Sequence, residues 1–436
     1  MNEISVPDNS ILFTDLYELT MGQRYFDMGL ADKQASFEVF VRKFPKGRKA
    51  MIMAGLDEVA YMMNSAHSLF TPEVIAYLRG RSDLSKQFVD YLAEAPYGFS
   101  CGIVAFPQGR PFLENEPILR VTGPIIWAQL LETFILNALG FSISVATKAR
   151  RIVEAAQGKS LSDFSPRRCQ SMDAAMKVAK YSYMMGFDST SNVLAGMRYG
   201  IPVTGTVAHS FITAMYCEHM AFGELLGRGV TTILLDSYDT RKAIKRLVKI
   251  PSSERLKAVR IDSGDLKVLS RYVRKVLDRV GRKDVKILAS GDLDEYKITD
   301  LVTDKAPIDG FGVGTALGTC NDAPALGITY KLVSFMGRPK MKLSDGKETM
   351  PGPKQVFRSI EKGDTIGLWE EEIEGTTNML EHAGYLDKLP SIDAIRDDVR
   401  RHLDFERVSK MKVVISPSLK ALTDKCRAQI KVDNGL

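Results

Sequence analysis

Between Ile233 and Thr315 the chain repeats one alternation four times: an apolar stretch, a small cluster of Asp, Ser and Gly, then a segment of helical periodicity. The apolar stretches end in Leu235-Asp236-Ser-Tyr-Asp239, Arg260-Ile-Asp262-Ser-Gly-Asp265, Ala289-Ser290-Gly291-Asp292 and Gly310-Phe-Gly312-Val-Gly314-Thr315. From Asp236 the steps to Asp262, Asp292 and Thr315 are 26, 30 and 23 residues, one strand plus one helix each. The series predicts parallel strands joined by helices, a fold in which ligands sit at the strand C-termini. Acids, hydroxyls and bare glycine amides at those ends suit a phosphorylated sugar with a metal ion. The clearest helix follows Asp265: Leu266, Leu269, Val273, Val276, Leu277 and Val280 share one face, and Gly281 stops it.

The flanking regions follow other patterns. Residues 13–30 carry apolar positions Leu16, Leu19, Phe26 and Leu30 at helical spacing, and 35–41 alternate like a half-buried strand. Helical stretches with polar breaks fill 51–95, and 102–106 and 117–121 read as strands. From Ile125 the pattern changes: an apolar helix over 127–139, a segment over 144–156 that begins polar and turns helical, and a strand or loop over 160–168 ending in two arginines. Residues 173–185 read as a helix, 186–192 as a polar break, and 202–209 as a strand end. Beyond Tyr330 the chain turns strand-rich and polar. The expected organisation is an N-terminal mixed α/β domain over 1–124, an α/β barrel over 125–335, and C-terminal segments over 336–436 packing back on the first domain.

Composition narrows the function classes. With 436 residues, 45% hydrophobic and 26% charged, the chain reads as a globular protein with room for two domains. Its formal charge of +6 is mild, and no dense basic run with interleaved aromatics points to nucleic acid. Cys101, Cys169, Cys217, Cys320 and Cys426 are widely spaced and form no Cys-x-x-Cys, which predicts reduced thiols. The polar N-terminus resembles no signal sequence, and no run of about 20 uninterrupted apolar residues suggests a membrane span. The expectation is a cytoplasmic enzyme without a membrane or nucleic-acid partner.

Several residues are candidates for chemistry, each with a structural reading beside the functional one. Gly310-Phe-Gly-Val-Gly314-Thr315 lets backbone amides approach a phosphate closely; equally, it is a close-packed barrel turn. Arg260 and Asp262 share one strand face, either as an internal ion pair or as ligands for an anionic group and for sugar hydroxyls or Mg²⁺. His209, one of five histidines, sits among hydroxyls and lacks the His or Glu spacing of a zinc site. Arg167 and Arg168 follow Phe164, a setting for clamping a carboxylate while a ring stacks on a flat ligand, or simply for solvent. Tyr17 reads as packing.

Taken in order, these segments resemble nicotinate phosphoribosyltransferases. The resemblance runs through Phe13-Thr-Asp-Leu-Tyr-Glu-Leu-Thr-Met21, Phe37-Glu-Val-Phe-Val-Arg-Lys43, Gln129-Leu-Leu-Glu-Thr133, Ala146-Thr-Lys-Ala-Arg150, Phe187-Asp-Ser-Thr-Ser-Asn-Val-Leu-Ala-Gly196, Gly205-Thr-Val-Ala-His-Ser210, Arg260-Ile-Asp-Ser-Gly-Asp265, Ala289-Ser-Gly-Asp-Leu-Asp-Glu-Tyr296, Gly310-Phe-Gly-Val-Gly-Thr315 and Pro351-Gly-Pro-Lys-Gln-Val356, nearly the whole chain. Ser165-Pro166 and Pro353 depart from the family pattern. The resemblance implies an incomplete α/β barrel beside an N-terminal α/β domain, working as a homodimer with shared active sites. It implies transfer of phosphoribosyl from phosphoribosyl pyrophosphate (PRPP) to nicotinate, with Mg²⁺ and with ATP as co-substrate. It also implies site roles. Phe164 and the partner's Tyr17 would sandwich the pyridine, and Arg167 would face the carboxylate. Arg260 and Asp262 would handle ribose and phosphates, with Asp236 close by. Gly291, Asp292, Gly314 and Thr315 would cradle the 5′-phosphate side, Ser290 would join them in binding substrate, and His209 would be phosphorylated by ATP. Ser191 falls where nicotinamide-using relatives, the nearest rivals, carry an acid, which favours nicotinate; quinolinate would call for more basic pocket residues, and its enzymes are much shorter. The remaining rival is a barrel that binds sugar phosphates without catalysis.

Overall fold

The computed structural model describes residues 10–65, 70–94, 101–382, 389–402 and 404–435. The chain forms two compact units, one comprising Met1–Ser144, Ala325–Ser391 and Arg401–Leu436, the other Val145–Pro324 with Ile392–Arg400. These divisions differ from the expected 124 and 335 for two physical reasons. The helix Glu132–Ala156 is continuous, because Ser142 and Ser144 turn their hydroxyls back to Ala138 O (2.7 Å) and Gly140 O (2.9 Å) and so do not break it. The strand Ile328–Phe335 pairs antiparallel with Gln34–Val41 and so belongs to the first unit's sheet.

In the first unit an antiparallel sheet of six strands runs Arg338–Pro339, Ile328–Phe335, Gln34–Val41, Leu119–Pro124, Gly102–Ala105, Glu381–His382. At its centre Phe37 stacks on Tyr330 (4.8 Å, 14°), whose hydroxyl donates to Ala128 O. The helix Leu16–Asp27 begins where Glu18 reaches back to accept Asp15 N (3.1 Å). A smaller sheet of Thr377–Asn378, Lys354–Ser359, Gly363–Leu368 and Val413–Ile415 completes the unit. Residues Ile125–Ala156 are apolar and long enough, by composition alone, to cross a bilayer. Here Ile135, Leu139, Ile143, Ala146, Ala149 and Ile152 are buried against protein, as in a core helix.

The second unit is built on a parallel sheet in the order Ser189–Thr190, Ser160–Asp163, Gly310–Val313, Lys286–Ala289, Ala258–Ile261, Thr232–Leu234. The four predicted steps are all present, each a short buried strand followed by a helix. Ser160–Asp163 pairs with Gly310–Val313, so the first and last strands of this unit are neighbours and the sheet curls. Val203 adds a lone parallel bridge to Thr190, and the sheet stays open between there and Thr232–Leu234. The result is an incomplete α/β barrel. Helix Leu266–Arg279 buries Val273, Val276 and Leu277 on the predicted face, and Gly281 follows it at φ +79°.

Candidate functional site

Each barrel strand hands its polar cluster to the same end. Backbone bonds continue one residue past three strands: Leu235 N to Arg260 O (3.0 Å), Ser290 N to Ile261 O (3.0 Å) and Phe164 N to Val313 O (2.8 Å). Parallel pairing in register therefore aligns Asp236, Asp262, Ser290, Phe164 and Gly314 along one rim.

Arg260 and Asp262 lie on one strand face and form an ion pair at 2.6 Å. Arg260 Nε also donates to Ser290 Oγ (2.8 Å), and Nη1 to Thr206 Oγ1. Ser290 Oγ donates to Asp262 in turn, closing a triangle. Burial opposes ionisation of Asp262, but hydrogen bonds from Arg260 and Ser290 outweigh it and hold the carboxyl below its usual range. The guanidinium lies 5.5 Å from the centre of the Phe164 ring, so one aromatic face already meets a cation.

His209 does not end a strand as expected; it opens the short helix His209–Ala214. Its Nε2 lies 3.3 Å from Asp236 Oδ1, a contact that bridges the open seam of the barrel. The imidazole is 46% exposed while Asp236 is only 3% exposed. Asp236 Oδ2 accepts Asp262 N (3.1 Å) and Ser263 Oγ (2.5 Å), so a backbone amide, a hydroxyl and the imidazole converge on one buried side chain.

The glycines have steric causes. A Cβ at Gly291, which sits at φ +92°, would lie 1.9 Å from Asp262 O, and one at Gly312 would lie 2.3 Å from the Phe164 ring. Asp292 adopts φ +46°, an uncommon conformation for a non-glycine residue that recurs at ligand sites. Gly314 and Thr315 lie half-buried where the last strand passes into the helix Thr315–Thr319.

The turn after Ser160–Asp163 is organised by a residue the sequence reading passed over. Asp163 is fully buried and accepts Ser165 N (2.9 Å) and Thr190 Oγ1 (2.7 Å), which orients Phe164; burial pushes its carboxyl up. Its own carbonyl accepts Ser191 N (2.8 Å). Arg167 is exposed. Tyr17 belongs to the first unit and is 46% exposed; partial burial first, then the neighbouring Glu132 and Glu18, push its phenol up. Thr206 and Ser263 were also missed, although Ser263 follows Asp262 directly and Thr206 stands three residues before His209.

Comparison with known proteins identifies the chain's relatives. Residues 12–140 match the nicotinate phosphoribosyltransferase N-terminal domain and residues 159–362 the nicotinate phosphoribosyltransferase family. The chain is 40% identical over 435 residues to nicotinate phosphoribosyltransferase pncB2 of Mycobacterium tuberculosis, spanning 95% of this chain and 89% of that one. With the nicotinate phosphoribosyltransferase of Bacillus subtilis it shares 37% over 393 residues, 86% and 79% of the two chains. Human nicotinic acid phosphoribosyltransferase superposes with a TM-score of 0.76 at 25% identity, covering 94% of this chain and 99% of that structure.

Proposed function

Because the chain belongs to the nicotinate phosphoribosyltransferase family, we propose that it transfers phosphoribosyl from PRPP to nicotinate, yielding nicotinate mononucleotide and pyrophosphate for NAD salvage, with ATP as co-substrate. The observation that carries this reading is the cluster of Arg260, Asp262, Ser290 and Asp236 at neighbouring C-terminal ends of parallel strands, with His209 meeting Asp236 from the start of its helix. In the reaction the pyridine nitrogen bonds to C1′ of the ribose as the bond to pyrophosphate oxygen breaks. A neutral nucleophile and an anionic leaving group need little proton transfer, so catalysis is positioning plus stabilisation of an oxocarbenium-like ribose.

Asp262, held ionised, is the carboxylate for the ribose hydroxyls. The same hard oxygens fit Mg²⁺. Among the described residues no group of three or more ligating side chains stands ready for a metal, which suits an ion carried mainly by the substrate's phosphates. Held by Asp262 and the substrate's phosphates, Mg²⁺ would supply charge neutralisation for the departing pyrophosphate. Arg260 serves the anionic groups and holds Asp262 in place. Ser290, Gly291, Asp292, Gly314 and Thr315 cradle the 5′-phosphate. Phe164 offers a ring face, Tyr17 of the partner subunit the other, and Arg167 meets the carboxylate. Ser191, in place of an acid, leaves that carboxylate unopposed.

His209 is the residue for ATP. A neutral imidazole that donates Nε2–H to Asp236 presents its lone pair at Nδ1. A Nδ1–P bond to the γ-phosphoryl group forms as ADP leaves, and later hydrolysis of that phosphohistidine couples ATP to product formation. A homodimer is supported by exposed apolar side chains on the barrel unit, with Met172 76%, Met197 78% and Tyr216 95% exposed. A reducing cytoplasm suits five cysteines that are not joined in disulfides.

The test is to incubate the purified chain with PRPP, Mg²⁺ and either nicotinate or nicotinamide, with and without ATP, and to identify products by mass. Nicotinate mononucleotide, formed faster with ATP, is expected. Product from nicotinamide alone would overturn the roles of Arg167 and Ser191. PRPP binding without pyrophosphate release would return the non-catalytic barrel.

A further inference from the structure

We propose that Lys148 is a positioning residue for PRPP: one buried ammonium that ties together the two loops which, on the reading above, cradle the 5′-phosphate. Its side chain is 1% exposed, and Nζ lies 2.6 Å from Glu295 Oε2 and 2.9 Å from Asp322 Oδ1. Those carboxylates stand at the far ends of the two loops. Glu295 opens the helix Glu295–Thr303 just after Ser290-Gly291-Asp292. Asp322 lies beyond Gly314, Thr315 and the helix Thr315–Thr319.

Strand pairing decides where these loops begin, with Leu288 opposite Gly310 and Ala289 opposite Phe311. The Lys148 clamp decides where they end. Inside the first loop, Lys297 Nζ donates to Asp292 O (2.7 Å), which ties its strained turn to the same helix. Arg151, almost one helical turn beyond Lys148, reinforces the anchor: its Nε lies 3.0 Å from Glu295 Oε1 and its Nη2 donates to Tyr296 (2.9 Å). Both cations ride on the long helix Glu132–Ala156, a rigid bar spanning the two loops.

The charge arithmetic makes the clamp directional. Two carboxylates brought to one buried ammonium are strongly attracted to it; without it Arg151 still meets Glu295, but the ammonium which that carboxylate shares with Asp322 is gone. Removing the ammonium therefore separates the loops, and with them the amides and hydroxyls of Gly291, Asp292, Gly314 and Thr315. Phe164 and Ser191 have an anchor of their own in Asp163, whose carboxylate accepts Ser165 N and Thr190 Oγ1 and whose carbonyl accepts Ser191 N. The consequence is a selective loss of phosphate-end affinity, which general destabilisation does not produce.

The experiment compares wild type, Lys148→Met, Lys148→Arg and Asp322→Asn by steady-state kinetics with each substrate varied in turn. The PRPP-induced rise in melting temperature is a second readout that needs no turnover. For Lys148→Met the KM for PRPP is expected to rise roughly ten- to hundredfold, the scale of a loop misplaced by about 1 Å, with the KM for nicotinate little changed. Lys148→Arg recovers part of the loss. Asp322→Asn, at the 28%-exposed arm, keeps the Glu295 contact and serves if Lys148→Met does not fold; it raises the KM for PRPP by a smaller factor. Equal changes in both KM values, or an unchanged PRPP response in Asp322→Asn, overturn the clamp. A wild type that is neither turned over nor stabilised by PRPP would overturn the substrate reading instead.

Discussion

In the first unit Glu38, Glu116 and Asp364 are wholly buried, and each meets a cation inside the fold: Lys354 lies 2.8 Å from Glu38, and Arg358 lies 2.6 Å from Asp364 and 3.8 Å from Glu116. At the barrel rim the pairing is similar and the exposure is not. Asp262 is 26% and His209 46% exposed, beside Arg260 at 12% and Asp236 at 3%. The difference separates two uses of one interaction. A pair closed off from solvent, such as the buried Arg358 and Asp364 with Phe106 against the guanidinium, has no room for a ligand and holds strands together. A pair open on one side keeps lone pairs and a ring nitrogen for substrate. Ion pairs alone would not have located the site; partial exposure at strand ends does.

The strongest break of this contrast is Asp262→Asn, expected to lower kcat/KM for the transfer roughly 10²- to 10³-fold while the melting temperature moves little. A large melting shift with near-normal turnover would show the rim pair to be structural. Arg358→Met should do the reverse: it leaves Glu116 and Asp364 facing each other, at a cost of roughly 3–5 kcal/mol in urea unfolding, with kcat per folded molecule intact. His209→Ala should abolish stimulation by ATP and the accompanying ATP hydrolysis, leaving slow ATP-independent product formation; hydrolysis at the wild-type rate would remove His209 from that role.

The smallest effect is on pH dependence. Burial raises the Glu18 carboxyl from 4.5 to about 7, against the hydrogen bonds from Thr133 and Asp15. The folded state then holds a proton that the unfolded chain has released, so stability falls as pH rises from about 4.5 through about 7 and levels off above. Melting curves across that range should show the decline, by about 2–4 °C for each kcal/mol lost. Glu18→Gln should flatten it; an unaltered slope would assign the titration to the neighbouring Glu132, which burial also raises.

Much of the barrel could be read before any coordinates. Ala258–Ile261, Lys286–Ala289 and Gly310–Val313 are short apolar runs bounded by Asp, Ser and Gly, and a chain with helices between such runs is confined to parallel pairing. Helix Leu266–Arg279 announced its buried face by spacing alone. The segment around Ser142 and Ser144 misled because polarity read as a break, whereas each hydroxyl bonds the carbonyl four residues back. Residues 392–400 were expected with the first domain. They join the second because Arg396 donates to the carbonyls of Tyr183 and Phe187 and lies 4.3 Å over the Tyr183 ring, contacts between segments some 200 residues apart.

The sequence by itself determined the repeated strand-and-helix steps, the polar rim at the strand ends, and the family, because these follow from local periodicity and from motif order. It also named Arg260 and Asp262 as neighbours, since two residues apart on a strand means one face. Only the tertiary structure decided that Asp236 meets His209 across an open seam, that Asp163 holds the Phe164 turn, and that Lys148 joins Glu295 to Asp322. Those partners lie tens to more than a hundred residues apart, apart from the Asp163 turn, whose backbone geometry no residue pattern discloses. What brings them together is the curl and register of a sheet, a collective property of packing that no single stretch of chain contains.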